Sequence, residues 1–250
     1  MKKLLFIFLS GLLFTACSDS DEGNNSTDTE AGYAKGIVLD TQGNPIAGAY
    51  LYLQNTTFYN SYINGSTSED GTYKYQISAG YWKVFSSFNK EYNGQTYSLQ
   101  LYPDNTDTFS EEGAVRNFTW KLEGRDPDGS GYFYGGEIAL SFHYDIPYEE
   151  EENIELTFTA IGSLIDGSQG NTITLKRGDH YWDYNDYYIE DIPIGRYRVT
   201  AVLNSENGNI PLRLRSWDTE DDFVSEFQLD FIPDTSTLRP KTKAFLTVGY

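Results

Sequence analysis

The sequence predicts an all-β protein made of two tandem β-sandwich modules. Short runs that alternate apolar and polar residues, rich in Tyr, Val, Ile, Phe and Thr, recur at intervals of about ten residues. No stretch has the i, i+3, i+4, i+7 apolar pattern of an amphipathic helix. Turn-forming pairs separate the runs, and each is typical of a point where a strand reverses: Asn64-Gly65, Asp70-Gly71, Asn93-Gly94, Asp166-Gly167 and Asn207-Gly208.

Composition excludes several classes of protein. The 250 residues include 18 Lys and Arg against 37 Asp and Glu, which gives a formal charge of −19. Such a chain repels a phosphate backbone, so we expect no nucleic-acid partner. A single Cys excludes an intrachain disulfide and a Cys-based zinc site. The sequence therefore indicates a globular protein without an evident cofactor, calcium being the one ion considered below.

Residues 1–16 are predicted to be a targeting segment rather than part of the fold. Lys2 and Lys3 precede the apolar run Leu4–Phe14, which is too short to cross a bilayer of about 30 Å as a helix. Ala16 then precedes Cys17, the only Cys in the chain. This arrangement resembles the bacterial lipobox, which implies that Cys17 is lipidated and anchors the mature protein to a membrane. The alternative is an ordinary signal peptide followed by an incidental Cys.

The residues after Cys17 predict a flexible acidic tether over 17–32. They are rich in Ser, Thr, Asn, Asp and Gly and show no apolar period. The run Ser18–Gly23 resembles the export signal of Bacteroidetes lipoproteins. That resemblance implies a position on the outer face of the outer membrane, whereas the alternative is a solvated spacer only.

The remaining chain divides at a polar segment with three Gly and one Pro. We predict one β-sandwich over 33–124, a linker over 125–131 and a second β-sandwich over 132–250. In the first module we expect Ala49, Leu51 and Leu53 to face the core, and Tyr50 and Tyr52 to face outward, since side chains alternate along a strand.

Four stretches of the first module resemble the carboxypeptidase regulatory-like domain, a prealbumin-like sandwich of about seven strands. They are Gly36–Asp40, Gly43–Ala49, Thr67–Tyr73 and Gly80–Val84. The resemblance covers about a quarter of the chain. It implies the fold of a noncatalytic module found in surface and secreted proteins, and it implies no reaction.

One candidate metal site lies at the predicted linker. Asp126, Asp128, Ser130 and Glu137 have the spacing of oxygen ligands in an EF-hand loop, with Gly131 at the sixth position. The flanks predict strands rather than helices, and Pro127 stiffens the second position. The segment is therefore either a calcium loop or a simple polar linker.

One candidate ligand-binding cluster lies in the second module. Residues 180–188 hold five aromatic side chains beside Asp and Asn, a combination that recognises sugars through flat apolar faces and hydrogen bonds. The alternative is that these aromatic residues fill cores and cover sheet faces. The candidate glycan-binding residues are Tyr181, Trp182, Tyr184, Tyr187 and Tyr188.

The sequence favours a noncatalytic, surface-anchored lipoprotein that acts as a binding or structural module of the outer envelope, with a polysaccharide or an envelope protein as partner. A first alternative is a glycan-binding accessory protein of a polysaccharide-uptake system. A second is a small hydrolase with two facing carboxylates. The run Glu149–Glu152 is predicted to be a solvated loop and is no evidence for that pair.

Overall fold

A computed structural model describes residues 28–129, 131–179, 187–234 and 241–250. Within these ranges the regular structure is β-strand, apart from one short 3₁₀ helix. The predicted all-β class is therefore confirmed. The targeting segment, Cys17 and most of the predicted tether lie outside the described residues.

Strands of the first half form two four-stranded sheets. The strands are β1 (Tyr33–Leu39), β2 (Tyr50–Asn55), β3 (Tyr62–Ser66), β4 (Thr72–Gln76), β5 (Trp82–Tyr92), β6 (Gln95–Leu101), β7 (Ala114–Val115) and β8 (Phe118–Thr119). One sheet has the order β4-β1-β7, with β8 also paired to β1, and the other has the order β3-β2-β5-β6. Buried side chains from both sheets pack together between them.

Alternation along β2 assigns its residues to two faces as predicted. Leu51 and Leu53 are fully buried, whereas Tyr50 remains 47% exposed and Tyr52 half-buried. Burial of each leucine stabilises the sandwich by about 1.5–3 kcal/mol. Asn93 and Gly94 both have positive φ at the two-residue turn between β5 and β6, as a type I′ hairpin requires.

The turn predicted at Asn64-Gly65 is wrong. Both residues lie inside β3, where they pair with β2. Gly65 is needed there for space rather than for a turn, because a Cβ would lie 1.9 Å from the Tyr75 hydroxyl. A glycine that marks a close approach cannot be told from a turn glycine by its neighbours in sequence.

Nine further strands form the second half. They are β9 (Gly136–Phe142), β10 (Ile154–Ala160), β11 (Ile173–Lys176), β12 (Tyr188–Ile192), β13 (Arg196–Ser205), β14 (Gly208–Arg215), β15 (Phe227–Asp230), β16 (Ile232–Asp234) and β17 (Lys241–Gly249). Their sheet has the order β11-β10-β13-β14-β17-β9-β12, with β15 paired to β13 and β16 to β17. Strands at both ends of this order bury side chains in the shared core, for example Leu175 and Ile189.

The acidic run Glu149–Glu152 is not the solvated loop that the sequence predicts. It lies in a 3₁₀ helix, Tyr148–Asn153, and Glu151 is buried. The Glu151 carboxylate accepts a hydrogen bond from the Arg177 guanidinium, and both side chains are nearly inaccessible. The aromatic rings of Phe142, Tyr148 and Tyr187 lie 5.7–5.9 Å from the same guanidinium. Their quadrupoles favour the cation that compensates the buried acid.

The two halves contact each other directly. The buried Tyr97 hydroxyl donates to the Phe231 carbonyl oxygen over 2.6 Å, and the Tyr92 hydroxyl donates to that of Ser163 over 2.8 Å. Burial raises the pKa of Tyr97 to about 12, so this phenol keeps its proton near neutral pH. A hydrogen bond of this kind contributes about 1 kcal/mol net.

Candidate functional site

An open face of the sheet β3-β2-β5-β6 is the most distinctive surface among the described residues. Strand register places fourteen side chains on the side opposite the core, and none of them is buried. Four of them, Asn89, Glu91, Thr96 and Ser98, lie toward the β5–β6 turn, and the other ten form the surface described here. We name this surface the aromatic face. Its residues are Tyr50, Tyr52, Gln54, Tyr62, Asn64, Ser66, Lys83, Phe85, Ser87 and Gln100.

Aromatic rings cross this face from strand to strand. The ring centroids of Tyr62 and Tyr52 are 5.9 Å apart, and those of Tyr52 and Phe85 are 6.1 Å apart. Tyr102, directly after β6, makes an edge contact with Tyr134 in the second half at 5.3 Å. The rings therefore extend across the sheet and reach the junction of the two halves.

Tyr134 is held in place by a buried carboxylate. Asp191, at a β-bulge with φ of +63°, accepts backbone N–H bonds from Gly124 at 2.7 Å and from Gly135 at 3.0 Å. These bonds fix both ends of the hairpin that carries Tyr134. Burial, and then the carboxylates of Asp126 and Asp128, raise the pKa of Tyr134 to about 12. Its hydroxyl thus stays protonated near neutral pH.

A groove of about 730 Å³ runs along one side of the aromatic face. The sheet contributes Tyr52, Lys83 and Phe85 to its lining, and residues 103–107 contribute the opposite wall. Its volume lies within the range of about 300–1,000 Å³ that is usual for ligand sites. Amide and hydroxyl groups beside the rings supply hydrogen-bonding partners: Gln54, Gln100, Tyr102, Asn105 and Thr106.

Arg116 also lines this groove. Its guanidinium donates to the backbone carbonyls of Val115 at 2.9 Å and Asp107 at 3.2 Å, and it lies 5.1 Å from the Phe109 ring centroid. The Asn105 side-chain oxygen accepts a hydrogen bond from the backbone N–H of Asp107. This bond folds the opposite wall of the groove into a local turn. The groove wall is therefore built by side chains that hold the backbone in place.

The charge of the aromatic face contrasts with that of the whole chain. Among its ten residues Lys83 is the one charged side chain and none is acidic, and Glu91 is the acid on the same side of β5, nearer the β5–β6 turn. A surface that is rich in tyrosine and amides and free of acids fits a ligand with apolar ring faces and many hydroxyls.

The aromatic cluster predicted at 180–188 is only partly described. Tyr181, Trp182 and Tyr184 lie outside the described residues. Tyr187 and Tyr188 are 47% and 44% exposed, and the Tyr187 ring contacts Phe142 beside the buried Arg177. A glycan site at this cluster stays a prediction.

The calcium loop likewise stays a prediction. Ser130 lies outside the described residues, and Asp126 is buried. Within the described part of the chain, no three His, Cys, Asp or Glu side chains are grouped as a metal ion requires. The segment forms a hairpin in which the N–H of Asp126 donates to Tyr132 and that of Tyr134 donates to Gly124. The hairpin explains the Gly-rich composition without a metal.

Three acids line a smaller cavity at the junction of the halves. Glu137, Glu190 and Asp191 share it with Tyr102 and Tyr132, but its volume is about 60 Å³. Ligand sites usually have several times this volume, so a sugar substrate does not fit here. Asp191 is also engaged by backbone N–H groups. The cavity gives the hydrolase alternative little support.

No family model and no curated protein matches the chain. Solved structures show weak similarity. The TIE protein of Bacillus anthracis has 11% identity and a TM-score of 0.29 over 87% of this chain and 44% of that one. A streptococcal ancillary pilin has 10% identity and a TM-score of 0.28 over 87% of this chain and 63% of that one. The chain thus spans less than two thirds of either structure.

A further similar structure is a B repeat unit of the collagen-binding surface protein of Staphylococcus aureus. It has 9% identity and a TM-score of 0.25 over 87% of this chain and 98% of that one. These proteins are β-sandwich domains of pilins and surface proteins. At such low scores the similarity carries no argument about ligand or activity.

Proposed function

We propose that this protein is a noncatalytic binding module that holds a polysaccharide chain on its aromatic face. The row of rings from Tyr62 through Tyr52 to Phe85 carries the proposal, because sugar rings stack on such flat apolar surfaces. The adjoining groove offers amides and hydroxyls that can exchange hydrogen bonds with sugar hydroxyls. The small volume of the acid-lined cavity favours binding over hydrolysis.

Loss of rings from the aromatic face should abolish most of the binding. We expect Tyr52→Ala and Phe85→Ala each to weaken affinity for the bound polysaccharide about tenfold, which corresponds to about 1.4 kcal/mol of lost stacking. Affinity electrophoresis against a panel of neutral and acidic polysaccharides, followed by calorimetry, measures the change.

Tyr59 supplies the matched control. Its side chain is fully exposed in the first half but lies outside the aromatic face, so Tyr59→Ala should leave affinity unchanged. Equal losses for Tyr52→Ala and Tyr59→Ala would contradict the assignment of the face. Absence of binding to every polysaccharide would remove the proposed function.

We further propose that the module is tethered to the outer membrane through a lipidated Cys17 and is displayed toward the medium. The support is the apolar run before Cys17 and the acidic run after it. A second acyl chain makes such anchoring durable, since each buried CH₂ contributes about 0.8 kcal/mol. The described part of the chain contains no helix with the length and hydrophobicity of a membrane span.

Replacement of Cys17 tests the anchor. We expect Cys17→Ser to move the protein from the membrane fraction to the soluble fraction, because no acyl chain can then be attached. Cell fractionation with immunoblotting checks this, with Ser18→Ala as the matched control that leaves the lipid site intact. Retention of Cys17→Ser in the membrane fraction would refute the anchor, and protease treatment of intact cells reports which side the module faces.

A further inference from the structure

One end of the first sandwich carries two loops with exposed aromatic side chains. Residues 56–61 connect β2 to β3, and residues 77–81 connect β4 to β5. We name these two loops together the loop tip. Phe58 and Tyr81 are 54% and 58% exposed, and Tyr59 is fully exposed. Neighbouring large rings that remain in water in this way mark an interaction surface.

The buried side chain of Asn55 holds the loop tip in one shape. Its amide oxygen accepts N–H bonds from Thr57 at 2.9 Å and from Phe58 at 3.0 Å. Its amide nitrogen donates to the Ala79 carbonyl oxygen in the second loop at 3.1 Å. The N–H of Tyr81 donates in turn to the Thr57 hydroxyl at 3.0 Å. Because the backbone that displays the rings is already fixed, little conformational entropy is lost when the rings bind.

The predicted tether joins the fold at the same end as the loop tip. The Gly32 N–H donates to the Glu111 carbonyl oxygen over 2.8 Å, and the Glu111 carboxylate accepts the N–H of Gly80 over 3.4 Å. The Gly32 carbonyl oxygen accepts the N–H of Ile77, the first residue of the second loop. Gly32 directly precedes β1, so the chain enters the sandwich beside the exposed rings.

Contacts with the second half lie at the opposite end. The Thr41 hydroxyl, just after β1, donates to the Asp166 carboxylate over 2.7 Å. Tyr92, the last residue of β5, donates to the Ser163 carbonyl oxygen. The loop tip precedes β5 and the tether precedes β1, whereas these contacts follow the same two strands. The exposed rings and the tether therefore share the end of the sandwich that lies away from these contacts.

The loop tip itself contains no charged residue, although acids lie beside it. Glu111 and Glu112 follow β6 at this end, and Glu30 is paired with Lys74 over 2.7 Å. An uncharged loop can enter a medium of low dielectric constant without the desolvation of an ion. The neighbouring acids disfavour an anionic surface. The surface that fits this end is therefore apolar beneath and carries no net charge.

The length of chain before the sandwich favours one such surface. Residues 17–27 separate Cys17 from the described chain, and they span at most about 40 Å even when fully extended. A lipid attached to Cys17 thus keeps the end with the loop tip near the membrane. The strands of the aromatic face run away from this end, so that face remains open to the medium.

From this arrangement we infer that the loop tip contacts the membrane, with the rings of Phe58, Tyr59 and Tyr81 in the head-group region of a zwitterionic lipid surface. The inference rests on the proposed lipid anchor and specifies how the module sits on it. Phenylalanine and tyrosine suit this position, since aromatic rings bury an apolar body and tyrosine keeps its hydroxyl in contact with water.

Spin labels at the two ends of the sandwich test the contact. A lipidated Cys17 has no free thiol, so Tyr59→Cys and Asn89→Cys each give the lipidated chain a single labelling site. Asn89 is exposed on β5, about 20 Å along the strand from the loop tip. Each labelled chain is reconstituted into phosphatidylcholine vesicles and isolated by flotation. Electron paramagnetic resonance then measures collisions with oxygen, which concentrates in lipid, and with a polar nickel chelate. We expect residue 59 to favour oxygen and residue 89 to favour the chelate.

Removal of the other two rings should release the loop tip. In the Tyr59→Cys chain, Phe58→Ser with Tyr81→Ser should lower the ratio of docked to free label about tenfold, because two rings no longer leave water. Both side chains are more than half exposed, so the fold does not depend on them. Tyr144→Ser is the matched control, since this ring is 92% exposed in the second half. Replacing part of the phosphatidylcholine with phosphatidylglycerol should also lower the ratio, because the adjoining acids repel an anionic surface.

Two sets of outcomes overturn the inference. If the chain floats but the label at residue 59 behaves like that at residue 89, or if the double variant behaves like Tyr144→Ser, the contact of the loop tip is refuted while the lipid anchor stands. If the chain does not float with the vesicles, the anchor and the inference fail together. Polysaccharide binding is measured without vesicles and is independent of both results.

Discussion

Replacing Arg177 with Ala should lower the free energy of unfolding by about 3–5 kcal/mol. The change leaves the Glu151 carboxylate buried without its cation, and these side chains are only 8% and 3% exposed for Glu151 and Arg177. It also removes the guanidinium that packs among Phe142, Tyr148 and Tyr187. The large effect follows from the uncompensated charge rather than from the strength of the pair itself.

Urea unfolding followed by tryptophan fluorescence measures this loss. Lys176→Ala is the control, because Lys176 is the preceding residue and pairs with Glu155 over 3.4 Å at an exposed position. We expect that variant to cost less than about 1 kcal/mol. The double variant Glu151→Leu with Arg177→Met should recover much of the stability, since it removes both charges. A similar cost for Arg177→Ala and Lys176→Ala would contradict this explanation.

Gly36→Ala should destabilise the first half by about 3 kcal/mol. A Cβ at Gly36 would lie 1.9 Å from the Arg116 carbonyl oxygen and 3.0 Å from the Tyr73 ring, so the backbone of β1 or of Arg116 must move. Movement of that backbone also displaces Arg116, which lines the groove. We therefore expect a loss of stability together with weaker ligand binding.

Gly48→Ala separates crowding from backbone strain. Gly48 has φ of +70°, and a Cβ there meets no atom within 4 Å, so only the left-handed conformation is penalised, by about 1–2 kcal/mol. Denaturant titration of both variants, with ligand affinity measured in parallel, gives the comparison. If Gly36→Ala proves no more destabilising than Gly48→Ala, the close approach of the Arg116 carbonyl oxygen to Gly36 does not determine stability.

The fold class could be predicted because alternation and turns are local signals. Leu51 and Leu53 point inward, and Asn93-Gly94 forms a hairpin turn, as their sequence pattern indicates. Asn64-Gly65 shows the limit of that approach. Gly65 is required because Tyr75, in another strand, approaches its backbone closely. No pattern of neighbouring residues in the sequence reveals that contact.

The sequence predicts outward-facing aromatic residues in the candidate site, but it does not predict how they are brought together. The alternation along β2 predicts that Tyr50 and Tyr52 face outward, but their junction with Tyr62 and Phe85 depends on strand order. Arg116 enters the groove through contacts with the loop at Asp107, which is nine residues away in the chain. The prediction for the acidic run Glu149–Glu152 is wrong for the same reason. The cation that compensates the buried Glu151 carboxylate is Arg177, which lies outside the run.

The absence of acids from the aromatic face also affects how copies of the protein meet. Two molecules with a charge of −19 repel each other, and the repulsion acts over about 8 Å at physiological ionic strength. A face-to-face approach through the ten residues of the aromatic face brings no acids of that patch together. The like charges of the two Lys83 side chains then oppose close contact. Lys83 thus protects the exposed rings from self-association.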